Sequence, residues 1–250
     1  MSINCKAKEN DRGTLMELPT EKAFLNSQGY LDRITINDKY LTIAGWVGAE
    51  NVNLTDFIVF IKGAVYKSKD LIIEFGIPSP DIENIYPTLQ QCSKARFEIK
   101  VPVILLPDKD KINLVYCIPI FDGNMGRGLF KFIKNDILKP PYQLIDLIGG
   151  GFQNISFEFL DYFIKIAYLK PTDRVLDIGC GFGRMAYALT GYLDPQGRYE
   201  GFDVHEKLIN WAKQNISIMF PNFNFKKVDF YNKLYNPNGR LSIDNFSFPY

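Results

Sequence analysis

Histidine is almost missing from this chain: His205 is the only one in 250 residues. A centre built on several imidazoles is thereby excluded, and any Ser-His-Asp or Cys-His arrangement would have to use that one residue. Cysteine is sparse as well. Cys5, Cys92, Cys117 and Cys180 show no Cys-x-x-Cys spacing, and four in 28.7 kDa are too few for a disulfide framework. Reduced thiols in a cytoplasmic protein are the expectation. No run approaches the ~18 uncharged apolar residues of a membrane span, and the opening MSINCKAKENDRG holds no apolar segment of the secretory kind. Nor is charge of one sign in excess. The 29 Lys and Arg face 28 Asp and Glu, leaving +1 and no general field to attract a polyanion, so neither nucleic acid nor a membrane surface is indicated as partner.

What is present is an ordinary globular composition, 46% hydrophobic and 23% charged, in a length that allows one or two compact units. Residues 1–25 are polar and without sustained periodicity, which predicts a loosely held arm. Residues 26–133 have β texture. The runs YLDRITIN, KYLTIAGWV, DFIVFIKGAVYK, ARFEIKVPV and KINLVYCIPIF are rich in Ile, Val, Phe and Tyr and are separated by Asn-Asp, Gly, Pro and Asp-Lys breaks. With no helical crossover between most of them, the strands should pair antiparallel as a β-sandwich. Tyr30, Trp46 and Tyr66 are aromatic at strand positions, where core filling is the first expectation and stacking on a sugar ring the second.

Residues 134–148, carrying Pro140-Pro141, read as a linker, and 149–250 as a second domain of different texture. In SFEFLDYFIKIAYL, Phe159, Phe163 and Ala167 recur at four, as do Leu160, Ile164 and Tyr168. Glu158, Asp161 and Lys165 are then expected on the polar side of an amphipathic helix stopped by Pro171. RVLDI, RYEGFDV and FNFKKV follow as strands alternating with the helices RMAYALTGYL and EKLINWAKQNI. That order means βαβ units and a doubly wound parallel sheet.

The sharpest local feature is VLDIGCGFGRMA, residues 175–186. A strand ends at Asp177, and Gly179, Gly181 and Gly183 form the turn into the next helix, letting backbone approach a ligand closely. The second strand ends at Asp203, 26 residues after Asp177, which places a carboxylate where ribose hydroxyls would lie. A dinucleotide fits the glycine pattern. Asp177, however, would repel a diphosphate and favour a ligand with a cationic ammonium and sulfonium, so S-adenosyl-L-methionine is preferred over NAD. Cys180 reads as a small residue tolerated within the turn, His205 as a solvated residue near a helix start, Phe152 as core or cofactor cover, and Lys226-Lys227 as a solvated pair.

These residues resemble the class I S-adenosylmethionine-dependent methyltransferases. VLDIGCGFG looks like the first motif of that family, YEGFDV like its second, and KKVDF like its third, over a stretch from about Gly149 to Tyr250. IGGGF, and the segment from YNKLYNPNG to FSFPY, resemble a bacterial subgroup of these enzymes. The resemblance implies a Rossmann-like fold, S-adenosyl-L-methionine as cofactor, and cofactor contacts by Asp177, Gly179, Cys180, Gly181, Gly183, Asp203, Val204, Asp229 and Phe230. It implies no metal and a small-molecule or glycan methyl acceptor, and it names no catalytic base. Because complete members build about seven strands and three are legible here, a chain cut short and inactive by itself is expected. GYLDR followed by TIAGWV resembles small β-sandwich modules found beside bacterial glycosyltransferases and methyltransferases, implying an accessory role. The alternative reading is a non-catalytic glycan- or partner-binding module with a vestigial nucleotide fold.

Overall fold

The computed structural model describes residues 25–107, 112–133 and 138–242. The arm expected over 1–25 lies, except for Leu25, outside the described residues. Two antiparallel sheets come first. One has the order β1-β2-β6-β5, formed by β1 (Ser27–Ile36), β2 (Tyr40–Ala49), β5 (Ile72–Ile77) and β6 (Arg96–Pro102). The other runs β4-β3-β7-β8, formed by β3 (Leu54–Ile61), β4 (Ala64–Tyr66), β7 (Leu114–Phe121) and β8 (Asn124–Met125), with β9 (Leu129–Phe132) also pairing to β7. The run DFIVFIKGAVYK is split into β3 and β4 by Lys62 and Gly63. Both have positive φ, 49° and 80°, the pair of left-handed residues that a tight hairpin turn needs.

Strand alternation builds the core between these sheets. Leu41, Ile43 and Val47 of β2 and Phe97, Ile99 and Val101 of β6 meet Phe57, Val59 and Ile61 of β3 and Val115 and Cys117 of β7. The opposite face of the second sheet is buried too. Phe60, Leu114, Tyr116 and Ile118 belong to a second core shared with the helices that follow, which is why β7 is buried along nearly its whole length.

The chain then changes period. The stretch expected as a linker contains α2 (Tyr142–Leu147), and after it come α3 (Gln153–Lys165), β10 (Arg174–Ile178), α4 (Arg184–Leu189), β11 (Arg198–Asp203), α5 (Glu206–Ala212) and β12 (Phe223–Lys227). The three strands form a parallel sheet in the order β10-β11-β12. Beyond β10 no strand pairs among the described residues, and Leu176 and Ile178 are exposed at that edge. Among the described residues no helix is long and apolar enough to cross a membrane.

α3 departs from the expected pattern. Asp161 and Lys165, assigned above to its solvated side, are buried against the second antiparallel sheet. Asp161 accepts from the Tyr116 hydroxyl of β7 and from the Gly128 backbone N–H (3.0 Å), and lies 3.4 Å from the Lys165 ammonium. Lys165 in turn donates to the Gly126 carbonyl at 2.5 Å. The polar residues face inward because their partners come from β7 and the loop between β8 and β9, far away in sequence.

Candidate functional site

The carboxyl ends of the parallel strands open onto a cavity of about 1460 Å³. Its floor is the turn between β10 and α4. Gly179, Gly181 and Gly183 have φ of 82°, 57° and 89°, a left-handed conformation in which an L side chain is strained, so the turn can be this sharp only with glycine. The Gly179 and Cys180 N–H groups both donate to the Phe202 carbonyl (2.9 and 3.1 Å), fastening the turn to β11. A Cβ built on Gly179 would meet nothing within 4 Å, so the backbone there faces open space. Gly183 is different: it is not part of the cavity wall, and its Cβ would come within 2.9 Å of Ile216 and 3.0 Å of Phe225, so there glycine serves helix-to-sheet packing.

Asp177 and Asp203 occupy adjacent strand ends on the cavity wall. Asp203 is held in place by backbone. Its Oδ2 accepts from the Gly181 N–H (2.9 Å) and its Oδ1 from the His205 N–H (2.7 Å), so the carboxylate ties the glycine turn to the start of α5. Asp177 is half-buried and accepts from the Tyr199 hydroxyl at 2.5 Å. Burial holds its carboxyl above the usual value, the Tyr199 hydrogen bond opposes this, and the charge of Asp203 raises it further. A cationic group arriving at this wall would relieve that penalty.

Of the other residues singled out by sequence, Cys180, Val204 and Phe230 line the cavity. The Cys180 thiol is buried and pushed well up, chiefly by desolvation, which makes it a packing residue rather than a nucleophile. Asp229 does not line the cavity. Its carboxylate is engaged by Arg240 at 3.0 Å and Asn236 at 3.3 Å, which hold it below the usual range and fold the segment after β12 back on itself. Phe152 packs against Phe182 and Tyr187 in the core, and Lys227 lies 3.6 Å from Glu206.

Several wall residues were either not expected at the site or, like Phe159, Phe163 and His205, expected in other roles. Asp146, Leu147 and Ile148 come from the expected linker, Phe159 and Phe163 from α3, and Tyr231 and Tyr235 from the segment after β12. Arg184 opens α4 and donates to the Ile148 carbonyl at 2.6 Å, joining the chain after α2 to the glycine turn. His205 precedes α5 as its cap residue and lines the cavity, with Nδ1 buried and without a hydrogen-bond partner among the described residues. An orphaned buried polar atom costs about 1–3 kcal/mol, which a ligand that pairs with it would offset. Two carboxylates, open glycine backbone and one unsatisfied imidazole nitrogen therefore converge on an aromatic-rimmed cavity, an arrangement suited to a ligand with a cationic end, vicinal hydroxyls and a flat ring.

A family model described as a methyltransferase domain matches residues 169–246, which contain β10 through β12. Among solved structures, a TehB-like SAM-dependent methyltransferase from Corynebacterium glutamicum is 24% identical, with 35% of this chain and 41% of that chain covered and a TM-score of 0.24. The aligned part thus spans less than half of that relative, and the superposition is too poor to bear on the fold.

Proposed function

We propose, from the methyltransferase domain that residues 169–246 match, that the cavity binds S-adenosyl-L-methionine and serves methyl transfer. The observation that carries this reading is the pair of strand-end carboxylates, Asp177 and Asp203, on either side of the glycine turn. Asp203 is placed to accept from the ribose hydroxyls. Asp177 supplies negative charge for the ammonium, the open backbone at Gly179 and Gly181 receives the amino-acid portion, and Val204 and Phe230 offer apolar surface to the adenine. The residues fit the group: the raised Asp177 carboxyl and the orphaned His205 Nδ1 are both conditions that such a ligand improves.

Bound there, the cofactor supplies an electrophilic methyl on sulfonium. The protein then has to hold an acceptor in line and exclude water, with a base needed only if the acceptor must lose a proton. Phe159, Phe163, Tyr231 and Tyr235 provide the apolar rim for that exclusion. The near-zero net charge favours a small-molecule or glycan acceptor over nucleic acid. The two antiparallel sheets are read as an accessory β-sandwich beside a Rossmann-like half-sheet, in a cytoplasmic protein.

Calorimetry with S-adenosylmethionine, S-adenosylhomocysteine and NAD tests the assignment. Binding of either of the first two with none of NAD is expected, and tighter binding of NAD would overturn it. A second expectation follows from Asp177. Its carboxyl in the ligand-free protein is raised above 3.8, so it takes up a proton at higher pH than an ordinary aspartate. Folding therefore carries a penalty for burying the ionised form at neutral pH, and that penalty is relieved as pH falls through the raised value. Binding runs the other way, because the ammonium needs the ionised form. Affinity for S-adenosylhomocysteine should fall on acidification before pH 3.8 is reached, and Asp177→Asn should flatten this dependence. An identical profile in both proteins would remove Asp177 from the site.

A further inference from the structure

Trp46 was expected first as core, yet it lies on the outward face of β2, opposite Leu41, Ile43 and Val47. Its register neighbours are Tyr30 on β1 and Arg96 on β6, and Tyr86, after α1 (Pro80–Ile85), packs on it with ring centroids 5.1 Å apart. Core packing does not account for an aromatic row on the outer face of a sheet. Tyr30, Trp46 and Tyr86 form one side of a cleft of about 680 Å³, separate from the cavity described above and within the ~300–1,000 Å³ of ordinary small-ligand sites. Arg127, Gln28 of β1 and Asn154 of α3 also line the cleft.

Charge in the cleft is one-sided. The Arg127 side chain is exposed and has no hydrogen-bond or ion-pair partner among the described residues. The Lys131 ammonium sits 5.2 Å from the centre of the Tyr30 ring. Among the described residues no Asp or Glu lines the cleft, and Asp32 and Asp81 are both held by Arg96, at 2.5 and 2.6 Å. Flat aromatic faces suit the C–H face of a pyranose, side-chain amides offer both donors and acceptors to ring hydroxyls, and an uncommitted guanidinium matches a carboxylate in bidentate fashion.

We propose that this cleft is a binding site for an acidic saccharide, a pyranose carrying a carboxylate, stacked on Tyr30 and Trp46 with its acid group on Arg127. The site is independent of the cofactor assignment. It would hold a glycan on the antiparallel unit whether that glycan is the methyl acceptor or an anchor.

Titration of the full chain with glucuronic acid and digalacturonate, followed by chemical shifts of the tryptophan indoles, tests this against glucose and maltose. Saturable binding of the acidic sugars is expected, with the neutral ones about tenfold weaker. Arg127→Ala should abolish that preference, and Tyr30→Ala should weaken all four sugars about fivefold. Wild-type circular dichroism and thermal melting in both variants would show that they are folded, whatever the cofactor cavity binds. Absence of saturation with the acidic sugars, equal or stronger binding of neutral ones, or wild-type affinities in both variants would overturn the proposal, as would adenosine monophosphate binding on Trp46 where the sugars do not.

Discussion

Asp161→Ala is expected to lower the unfolding free energy by about 3–5 kcal/mol, the usual cost of leaving one partner of a buried ion pair alone. The Asp161 side chain is 9% exposed and that of Lys165 7%, so water cannot replace the lost contact. The substitution strips the Tyr116 hydroxyl and the Gly128 N–H of their acceptor and leaves the Lys165 ammonium with less compensation in an environment that already lowers its pKa, burial being the chief cause. At this chain length 1 kcal/mol corresponds to roughly 2–4 °C, so a fall in Tm of roughly 6–20 °C is predicted. The double variant Asp161→Leu/Lys165→Met should recover only the part of the loss due to the uncompensated Lys165 charge, because the Tyr116 hydroxyl and the Gly128 N–H still lack their acceptor. Thermal melts of wild type, single and double variants decide this. A single variant within about 1 kcal/mol of wild type would mean that the interface tolerates water at Lys165.

Asp203→Ala should weaken S-adenosylhomocysteine binding at least tenfold and up to a few hundredfold, since each charge-assisted hydrogen bond to a ribose hydroxyl contributes about 1.5–3 kcal/mol. The carboxylate does two jobs, because Gly181 and His205 already donate to its two oxygens. The variant therefore loses part of the support of the glycine turn together with the ribose contact. Asp203→Asn is expected close to alanine rather than midway, because its amide NH2 would face one of those two backbone donors. A ligand lacking the 2′-hydroxyl separates the roles. It should bind wild type more weakly than the parent ligand, yet bind Asp203→Ala about equally with it. If all three folded proteins have the same dissociation constant for the parent ligand, the ribose lies elsewhere.

The features legible in the sequence are those written in local spacing. Alternation in KYLTIAGWV and ARFEIKVPV placed β2 and β6, and RVLDI ending in a glycine turn placed β10 and the cavity floor. The failures share a cause. β5 was passed over because, at a sheet edge with most of its residues exposed, it has no clean alternation. Asp161 and Lys165 were read as solvated because helical periodicity reports side-chain polarity and cannot see a tyrosine 45 residues upstream. Asp146 and Ile148 were assigned to a linker, since nothing in two prolines and a short apolar run signals that the chain returns to a strand end. Arg184 and His205 sit beside the glycine turn and the second strand end, and only the direction of their side chains makes them part of the wall.

The outer face of the second antiparallel sheet is at the same time the inner wall of the helical layer: Phe60, Tyr116 and Phe130 mesh with Phe157 and Tyr192. A module of this kind is not a bead on a string. Recombination that transplanted the antiparallel sheets onto another partner, or supplied the parallel sheet and its helices with a different neighbour, would strip an aromatic surface of its cover and strand Asp161 without Tyr116. Exchange of either half would therefore call for compensating apolar substitutions on both sides of the seam.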